Sequence, residues 1–234
     1  MEDVSFKRLL TPTRYGGEAF FRGDYTLNLY RGCNHGCIYC DSRSVCYHME
    51  DFDHVRVKRD CLAALESELR VKKHAGVVCM GAASDAYNAR EASLRVTRGA
   101  LELLRRYGFG VSLATKGALI LRDADVLAEI AKTAYACAAF SITTADAELA
   151  AVLEPHAPPP QQRFAAMEGL AKAGVPTGVW LNPMLPLRTA TPANMLAVLR
   201  RTADAGGRFA FNSPAMNSIH GAACSKNILR PAQR

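Results

Sequence analysis

Short apolar segments alternate with amphipathic helical patterns along most of the chain, and this alternation restricts the fold more than any other feature. Strands are predicted for residues 25–30, 77–80, 110–115, 136–143, 175–181 and 208–211. Helices are predicted for residues 58–74, 94–107, 123–132, 146–153, 161–173 and 192–205. Strands and helices in this order predict an α/β fold with a parallel sheet, outer helices and right-handed crossovers. Six such units suit a partial β/α barrel as well as a doubly wound sheet.

Polar residues lie where the predicted strands end, which is where parallel β/α folds collect their ligands. Ser84 and Asp85 follow the second strand, Lys116 follows the third, and Ser141 lies in the fourth. Helix caps and turns also favour serine, so Ser84 and Ser141 have an ordinary structural explanation. A lysine beside a glycine is not a cap, and an unpaired lysine facing a cavity is costly, so Lys116 favours a binding role.

Three cysteines crowd the loop that follows the first predicted strand. Cys33, Cys37 and Cys40 have the spacing C-x3-C-x2-C, and Tyr39 precedes the last of them. Three thiolates on one short loop can hold three corners of a cubane iron–sulfur cluster. Because this spacing supplies no fourth cysteine, one iron stays open to a small-molecule ligand, as a cluster that does chemistry requires.

A structural zinc site is the alternative interpretation of these cysteines. Zinc takes four tetrahedral ligands, and Cys46, His35 and His48 lie near enough in sequence to supply the fourth. The usual zinc pattern, however, has two cysteine pairs separated by about a dozen residues or more. The chain has one compact trio without a second pair, so the spacing favours the cluster.

Length and composition indicate a globular protein of about one or two domains. The 234 residues are 49% hydrophobic and 22% charged, and no stretch approaches the roughly 18 apolar residues of a membrane span. Residues 1–8 lack an apolar signal-peptide core. A cytoplasmic location without a membrane partner is therefore expected, and there cysteines stay thiols or ligands rather than forming disulfides.

The net charge of +7 and the pI of about 9.1 make polyanions, including nucleic acid, candidate partners. The basic residues are scattered along the chain rather than gathered in one long run. Charge alone therefore leaves nucleic-acid binding and simple solvation equally open.

With Tyr39 before its last cysteine, the cysteine motif resembles that of the radical S-adenosylmethionine (SAM) superfamily. Further segments resemble one branch of it, the spore-photoproduct-lyase-like proteins, often labelled DNA repair photolyase. These segments are residues 28–41, 47–48, 84–85, 115–116, 141–144, 153–155 and 173–176. The resemblance covers about residues 11–211, and only the cysteine motif is diagnostic by itself. Of the two folds, the resemblance selects the partial (β/α)6 barrel, which is similar to an incomplete TIM barrel.

The resemblance implies a [4Fe–4S] cluster on Cys33, Cys37 and Cys40, with SAM chelating the open iron. An electron from a donor such as flavodoxin or ferredoxin would then split SAM into methionine and a 5′-deoxyadenosyl radical that removes a substrate hydrogen atom. The family pattern implies SAM contacts for a set of four residues and a place near the adenine for a fifth. The four are Ser84, Asp85, Lys116 and Ser141, and the fifth is Tyr39.

Two departures from the family concern the substrate and the ends of the chain. Spore photoproduct lyases have a hydrogen-returning cysteine just before the Ser-Asp pair, and this chain has Ala83 there, which weakens a thymine-dimer lyase interpretation. The relatives also continue past the sixth strand. The sequence therefore predicts an N-terminal extension (1–24), a radical SAM core (25–211) and an irregular tail (212–234) that indicates truncation.

Three functional hypotheses follow from these residues. The first is a lyase-like radical SAM enzyme that acts on a substrate such as a nucleic-acid lesion. The second is a non-catalytic, metal-stabilised nucleic-acid-binding protein, and the third is an inactive truncated fragment that keeps the cluster.

Overall fold

The computed structural model describes residues 3–13, 23–44 and 49–212. The strands of this part of the chain are β1 (Asp3–Val4), β2 (Thr11–Pro12), β3 (Tyr25–Leu27), β4 (Tyr30–Arg31), β5 (Arg56–Lys58), β6 (Val77–Met80), β7 (Gly110–Thr115), β8 (Ala136–Ser141), β9 (Thr177–Trp180) and β10 (Phe209–Phe211). The α-helices are α1 (Cys61–Arg70), α2 (Glu91–Leu94), α3 (Val96–Arg106), α4 (Ala124–Thr133), α5 (Ala147–Leu153), α6 (Pro160–Lys172) and α7 (Pro192–Asp204). Short 3-10 helices cover Asp41–Arg43 and Ala118–Asp123.

The larger sheet has the strand order β10-β9-β8-β7-β6-β3-β2. Its six strands from β3 to β10 pair in parallel and follow one another in sequence order, and only β2 is antiparallel. A doubly wound sheet would reverse its strand order at a switch point, and this sheet does not. The predicted partial (β/α)6 barrel, with a parallel sheet and outer helices, is therefore confirmed.

The first predicted strand, residues 25–30, is wrong in its length. It divides into β3, which lies in the larger sheet, and β4, which pairs antiparallel with β5 in a second sheet of order β1-β5-β4. Asn28 and Leu29 separate β3 from β4 and belong to neither strand. The chain leaves the larger sheet at this point, which carries the following cysteines to its C-terminal edge.

The segment predicted as an N-terminal extension, residues 1–24, contributes strands to both sheets. β2 pairs with β3 at the edge of the larger sheet, and β1 pairs with β5 in the smaller one. Of the predicted tail, residues 213–234 lie outside the described residues. The domain boundaries therefore stay a prediction.

Other element boundaries agree with the predictions to within a few residues, but one helix start has a different cause. Asp123 precedes α4 as expected, yet its carboxylate does not cap the helix. It accepts hydrogen bonds from Arg122 and Arg98 and is fully buried. Asp146 does behave as the capping rule predicts, because its side chain accepts from two backbone N–H groups of α5.

The two faces of the parallel sheet differ in character. One face packs on the helices and contains large apolar residues, for example Leu113, Phe140 and Val179, each of them fully buried. Burying one such side chain contributes about 1.5–3 kcal/mol to stability. Strand alternation turns their neighbours, such as Ala114 and Ser141, to the concave face. Small and polar residues on this face leave room at the C-terminal edge of the sheet.

Within the described residues, no helix is long and apolar enough to cross a membrane.

Candidate active site

The predicted cluster ligands lie on one loop, residues 33–40, here called the cysteine loop. It leaves β4 through Gly32, whose φ of +86° suits glycine, and it ends at the 3-10 helix Asp41–Arg43. The N–H of Cys33 donates to the carbonyl of Phe52 at 2.8 Å, and the N–H of Cys40 donates to the carbonyl of Cys37 at 3.2 Å. Both ends of the loop are thus fixed by backbone hydrogen bonds.

The middle of the cysteine loop packs on the segment that follows α5. The N–H of Ile38 donates to the carbonyl of Leu153 at 3.0 Å, and the N–H of His156 donates to the carbonyl of His35 at 3.1 Å. Gly36 has a φ of +70°, and a Cβ at this position would meet the His156 ring at 2.8 Å. A larger residue at Gly36 would therefore have both backbone strain and a steric clash.

One pocket at the C-terminal edge of the sheet, here called the mouth pocket, brings the predicted site residues together. Its walls come from the cysteine loop and from the junctions that follow β6, β7 and β8. The predicted residues that line it are Cys33, Cys37, Cys40, Tyr39, Ser84, Asp85, Lys116 and Ser141. Residues more than 100 positions apart in sequence therefore share one cavity, while their individual roles stay predictions.

Asp85 is bound tightly into the wall of the mouth pocket. Its Oδ1 accepts hydrogen bonds from the Tyr87 N–H at 2.8 Å and from the Thr115 hydroxyl at 2.6 Å. Its Oδ2 accepts from the backbone N–H of Lys116 at 2.8 Å. The carboxylate thereby joins the junction after β6 to the end of β7. This structural role accounts for Asp85 without a ligand, alongside its predicted contact with SAM.

Ser84 and His35 also connect the cysteine loop to the junction after β6. The Ser84 hydroxyl donates to the carbonyl of Gly32, directly before the loop. His35 Nδ1 lies 3.5 Å from Asp85 Oδ2, and the His35 ring is 6% exposed. Burial lowers the pKa of His35 and outweighs the nearby Asp85 charge, so the ring is neutral at pH 7.

Lys116 is the cationic group of the mouth pocket. Its Nζ lies 5.5 Å from the centroid of the Tyr39 ring, within the range of a cation–π interaction. Burial acts to lower the pKa of Lys116, but Cys37 in its ionised form and the carboxylates of Glu154 and Asp85 outweigh it and raise the pKa. The lysine therefore keeps its charge, which suits it to hold a carboxylate.

A buried ion pair lies next to the cysteine loop, and the sequence did not predict its residues as part of the site. Arg163 is 1% exposed and Glu154 is 2% exposed, and Arg163 Nη2 lies 2.5 Å from Glu154 Oε2. The hydroxyl of Tyr39 donates to Glu154 Oε1. A signal for Arg163 was present, because it precedes the buried Met167 and Leu170 by four and seven residues and so lies on the apolar face of α6.

The three cysteines are free thiols in a chemical setting that fits a cluster. Burial raises the pKa of Cys33 to about 12 and also raises that of Cys37, so both are protonated at pH 7 without a metal. A cluster would displace these protons, since metals bind the thiolate form. The donor set of three thiols facing one lysine therefore fits a cluster with one open iron.

A mononuclear metal site is not formed by the described part of the chain, where no three His, Cys, Asp or Glu side chains are close enough to share one ion. Three cysteines that each bind a different iron of a cubane lie further apart than ligands of one zinc ion. Two of the residues considered for zinc, Cys46 and His48, lie outside the described residues.

Comparison with known proteins links this chain to one enzyme family. A family model described as "Radical SAM superfamily" matches residues 27–201. An uncharacterised protein of Mycobacterium tuberculosis is 33% identical over 189 residues, which are 78% of this chain and 56% of that protein. The chain thus spans about half the length of this curated relative.

Solved structures share the fold at low sequence identity. A spore photoproduct lyase mutant with bound AdoMet and dinucleoside spore photoproduct has a TM-score of 0.62 and 14% identity, covering 91% of this chain and 63% of that one. Streptococcus suis SuiB bound to its precursor peptide SuiA has a TM-score of 0.57 and 14% identity, covering 82% and 40%. At this identity the likeness concerns the fold.

Proposed function

Because the chain belongs to the radical SAM superfamily, in a branch resembling spore photoproduct lyase, we propose that its mouth pocket is the active site of a SAM-cleaving enzyme. The superfamily uses a [4Fe–4S] cluster and SAM. One observation carries the proposal: the three cysteines, Lys116, Ser84 and Ser141 line a single cavity. These residues come from four separate strand-end segments, and the fold alone brings them together.

In this proposal each residue around the mouth pocket has a defined task. Cys33, Cys37 and Cys40 hold the cluster, and Lys116 holds the SAM carboxylate. The hydroxyl of Ser141 and the ring of Tyr39 orient the rest of SAM, while Asp85 and Ser84 keep the junction after β6 in place. When bound, the cluster and SAM supply a carbon radical that removes a hydrogen atom from a substrate.

Anaerobic reconstitution with iron and sulfide tests the proposal. We expect a brown protein that releases methionine and 5′-deoxyadenosine when SAM and a strong reductant are added. Replacing Cys37 with alanine removes one ligand and should abolish both the cluster and the products. One zinc per chain without iron would favour a metal-stabilised binding protein, and a cluster without deoxyadenosine would favour an inactive fragment.

We further propose that the substrate is a nucleic-acid lesion, reached in the cytoplasm with an electron from flavodoxin or ferredoxin. The net charge of +7 favours a polyanion. Trp180 pairs with Ser141 in register, so it lies beside the mouth pocket on the concave face, and its ring is 5.7 Å from that of Phe211. Aromatic rings at such a place can stack on a base. Because Ala83 replaces the hydrogen-returning cysteine of the relatives, the lesion need not be a thymine dimer.

Trp180 gives a direct test of this substrate class, since it is the single tryptophan of the chain. Damaged single-stranded DNA should quench its fluorescence, and the affinity should fall steeply with added salt. A Trp180→Leu variant should bind a labelled oligonucleotide about tenfold more weakly, because one base stack contributes about 1–3 kcal/mol. Binding of a peptide instead, with no change of fluorescence on adding DNA, would contradict a nucleic-acid substrate.

A further inference from the structure

We propose that Glu154 and Arg163 are positioning residues for the iron–sulfur site, which as a buried ion pair hold the cysteine loop against the wall of the mouth pocket. The proposal rests on the proposed function, because it assigns the loop the task of holding a cluster. Neither residue lines the mouth pocket. Both therefore act through Tyr39 and the backbone rather than by touching a ligand.

Arg163 joins three separate pieces of the chain from its position in the first turn of α6. Its Nε donates to the carbonyl of Pro158 at 2.7 Å, and its Nη1 donates to the carbonyl of Ser141 at 2.8 Å. Its Nη2 forms the ion pair with Glu154. The guanidinium group thereby ties the end of β8, which forms one wall of the mouth pocket, to the end of α5.

Glu154 carries this connection to the cysteine loop. Its Oε1 accepts from the hydroxyl of Tyr39, which lies between two cluster ligands in sequence, and also from Thr143 at 3.3 Å. The backbone bonds of Leu153 and His156 to the loop lie on either side of Glu154. Lys116 Nζ lies over the Tyr39 ring, 5.5 Å from its centroid. Displacing Glu154 would therefore move Tyr39 and change the distances between the cysteines and Lys116.

Stability alone is a weak reason for such a pair. Two charges buried at 1–2% exposure have a large desolvation cost, and a well-packed apolar pair of similar volume is often equally stable or more stable. An apolar pair could not hold the carbonyl of Ser141 or the hydroxyl of Tyr39. What the ion pair adds over an apolar pair is therefore directional hydrogen bonding between the mouth-pocket wall and the cysteine loop.

Four variants separate positioning from stability. Glu154→Gln keeps the shape and removes one charge, and Arg163→Met removes the other. The double variant Glu154→Leu/Arg163→Met replaces the pair by apolar groups. Arg98→Met is the matched control, because it removes a partner of the fully buried Asp123 at 3.3 Å, away from the mouth pocket.

The first measurement is the rate at which iodoacetamide alkylates Cys37 in the apo protein, mapped by mass spectrometry. Cys37 is 7% exposed in the intact loop. We expect alkylation at least tenfold faster in the double variant, at a melting temperature close to that of the wild type. The control should lower the melting temperature and leave the alkylation rate unchanged.

The second measurement is the EPR spectrum of the reduced, reconstituted protein with and without SAM. We expect the three variants of the ion pair to bind iron but to lose the spectral change that SAM causes, because Lys116 and the open iron are no longer correctly spaced. A double variant with wild-type alkylation and a wild-type response to SAM overturns the proposal. A third outcome separates the two proposals: the wild type binds no iron, but Cys37 is protected from alkylation only when the ion pair is intact. This result refutes the proposed function and supports the positioning role.

Discussion

At the residue scale, Lys116 and Asp85 line the same pocket but their charges have different tasks. Both oxygens of Asp85 accept hydrogen bonds from the protein, so its charge is used to join two strand ends. The ammonium group of Lys116 lies over the Tyr39 ring and faces the mouth pocket. Substitution should therefore affect ligand binding at Lys116 and folding at Asp85.

Replacing Lys116 with alanine should weaken SAM binding by tenfold or more without changing the fold. The reason is the loss of Lys116, the one lysine among the described residues that line the mouth pocket, whose charge matches the SAM carboxylate. Equilibrium dialysis of reconstituted protein against labelled SAM measures the effect. Lys72→Ala is the control, since Lys72 also lies over a tyrosine ring, that of Tyr25 at 4.5 Å, but not in the mouth pocket. Equal SAM affinity in both variants would exclude a carboxylate-binding role for Lys116.

Replacing Asp85 with asparagine should destabilise the apo protein by about 1–3 kcal/mol, because an amide NH2 cannot accept from the N–H and hydroxyl donors around it. Urea denaturation measures the free energy of unfolding. Asp53→Asn is the control, since the Asp53 side chain is 58% exposed and pairs with Arg43 at the surface. A loss no greater than that of the control would show that the hydrogen bonds of Asp85 contribute little.

At the element scale, the cysteine loop depends on its close contact with the segment after α5. A Gly36→Ala variant would introduce both a strained φ and a clash with His156 and Pro155. We expect it to displace the loop and to bind less than half the iron of the wild type after reconstitution, as measured by iron and sulfide analysis.

Gly174→Ala provides the control for this effect. Gly174 has a φ of +86°, but a Cβ there would meet nothing within 4 Å. This variant therefore has the backbone strain of about 1 kcal/mol without the clash. If both variants lose iron equally, strain rather than loop packing is responsible.

Most helices and strands could be predicted because their signals are local. β7 has the predicted bounds, because its alternating apolar residues are visible in the sequence. α7 begins at the predicted proline and ends one residue before its predicted end, close to the glycines that follow it. The strand predicted at residues 25–30 failed because β4 is held by β5, which lies more than 20 residues later. Tertiary pairing thus overrode a local β pattern.

At the scale of the whole molecule, buried thiols make the stability of the apo protein dependent on pH. Burial raises the pKa of Cys79 from 9.0 to about 11, so the folded protein keeps this proton to higher pH than the unfolded chain. The resulting stability is fully present below about pH 9 and is lost as the pH rises towards 11. Denaturant unfolding of the apo protein across this range should show a decline that is smaller in a Cys79→Ala variant. An identical decline in both proteins would contradict the raised pKa.

The sequence by itself indicated the superfamily of this protein and the class of its fold. The spacing of Cys33, Cys37 and Cys40 on one short loop is a local pattern, and so is the alternation of strands and helices. Local patterns are readable because neighbouring residues along the chain remain neighbours in space. Lys116 could be singled out for the same reason, as a charged residue at a strand end that no cap explains.

Only the tertiary structure decided which buried partners hold the cysteine loop and the strand ends in place. The contacts between Arg163 and Ser141, and between Glu154 and Tyr39, join residues 22 and 115 positions apart, so no local signal encodes them. The tertiary structure also added a role for Asp85, which was predicted only as a ligand contact: its hydrogen bonds join the junction after β6 to the end of β7. Such partners depend on how the parallel sheet brings its strand ends together, and that arrangement exists only in the folded chain.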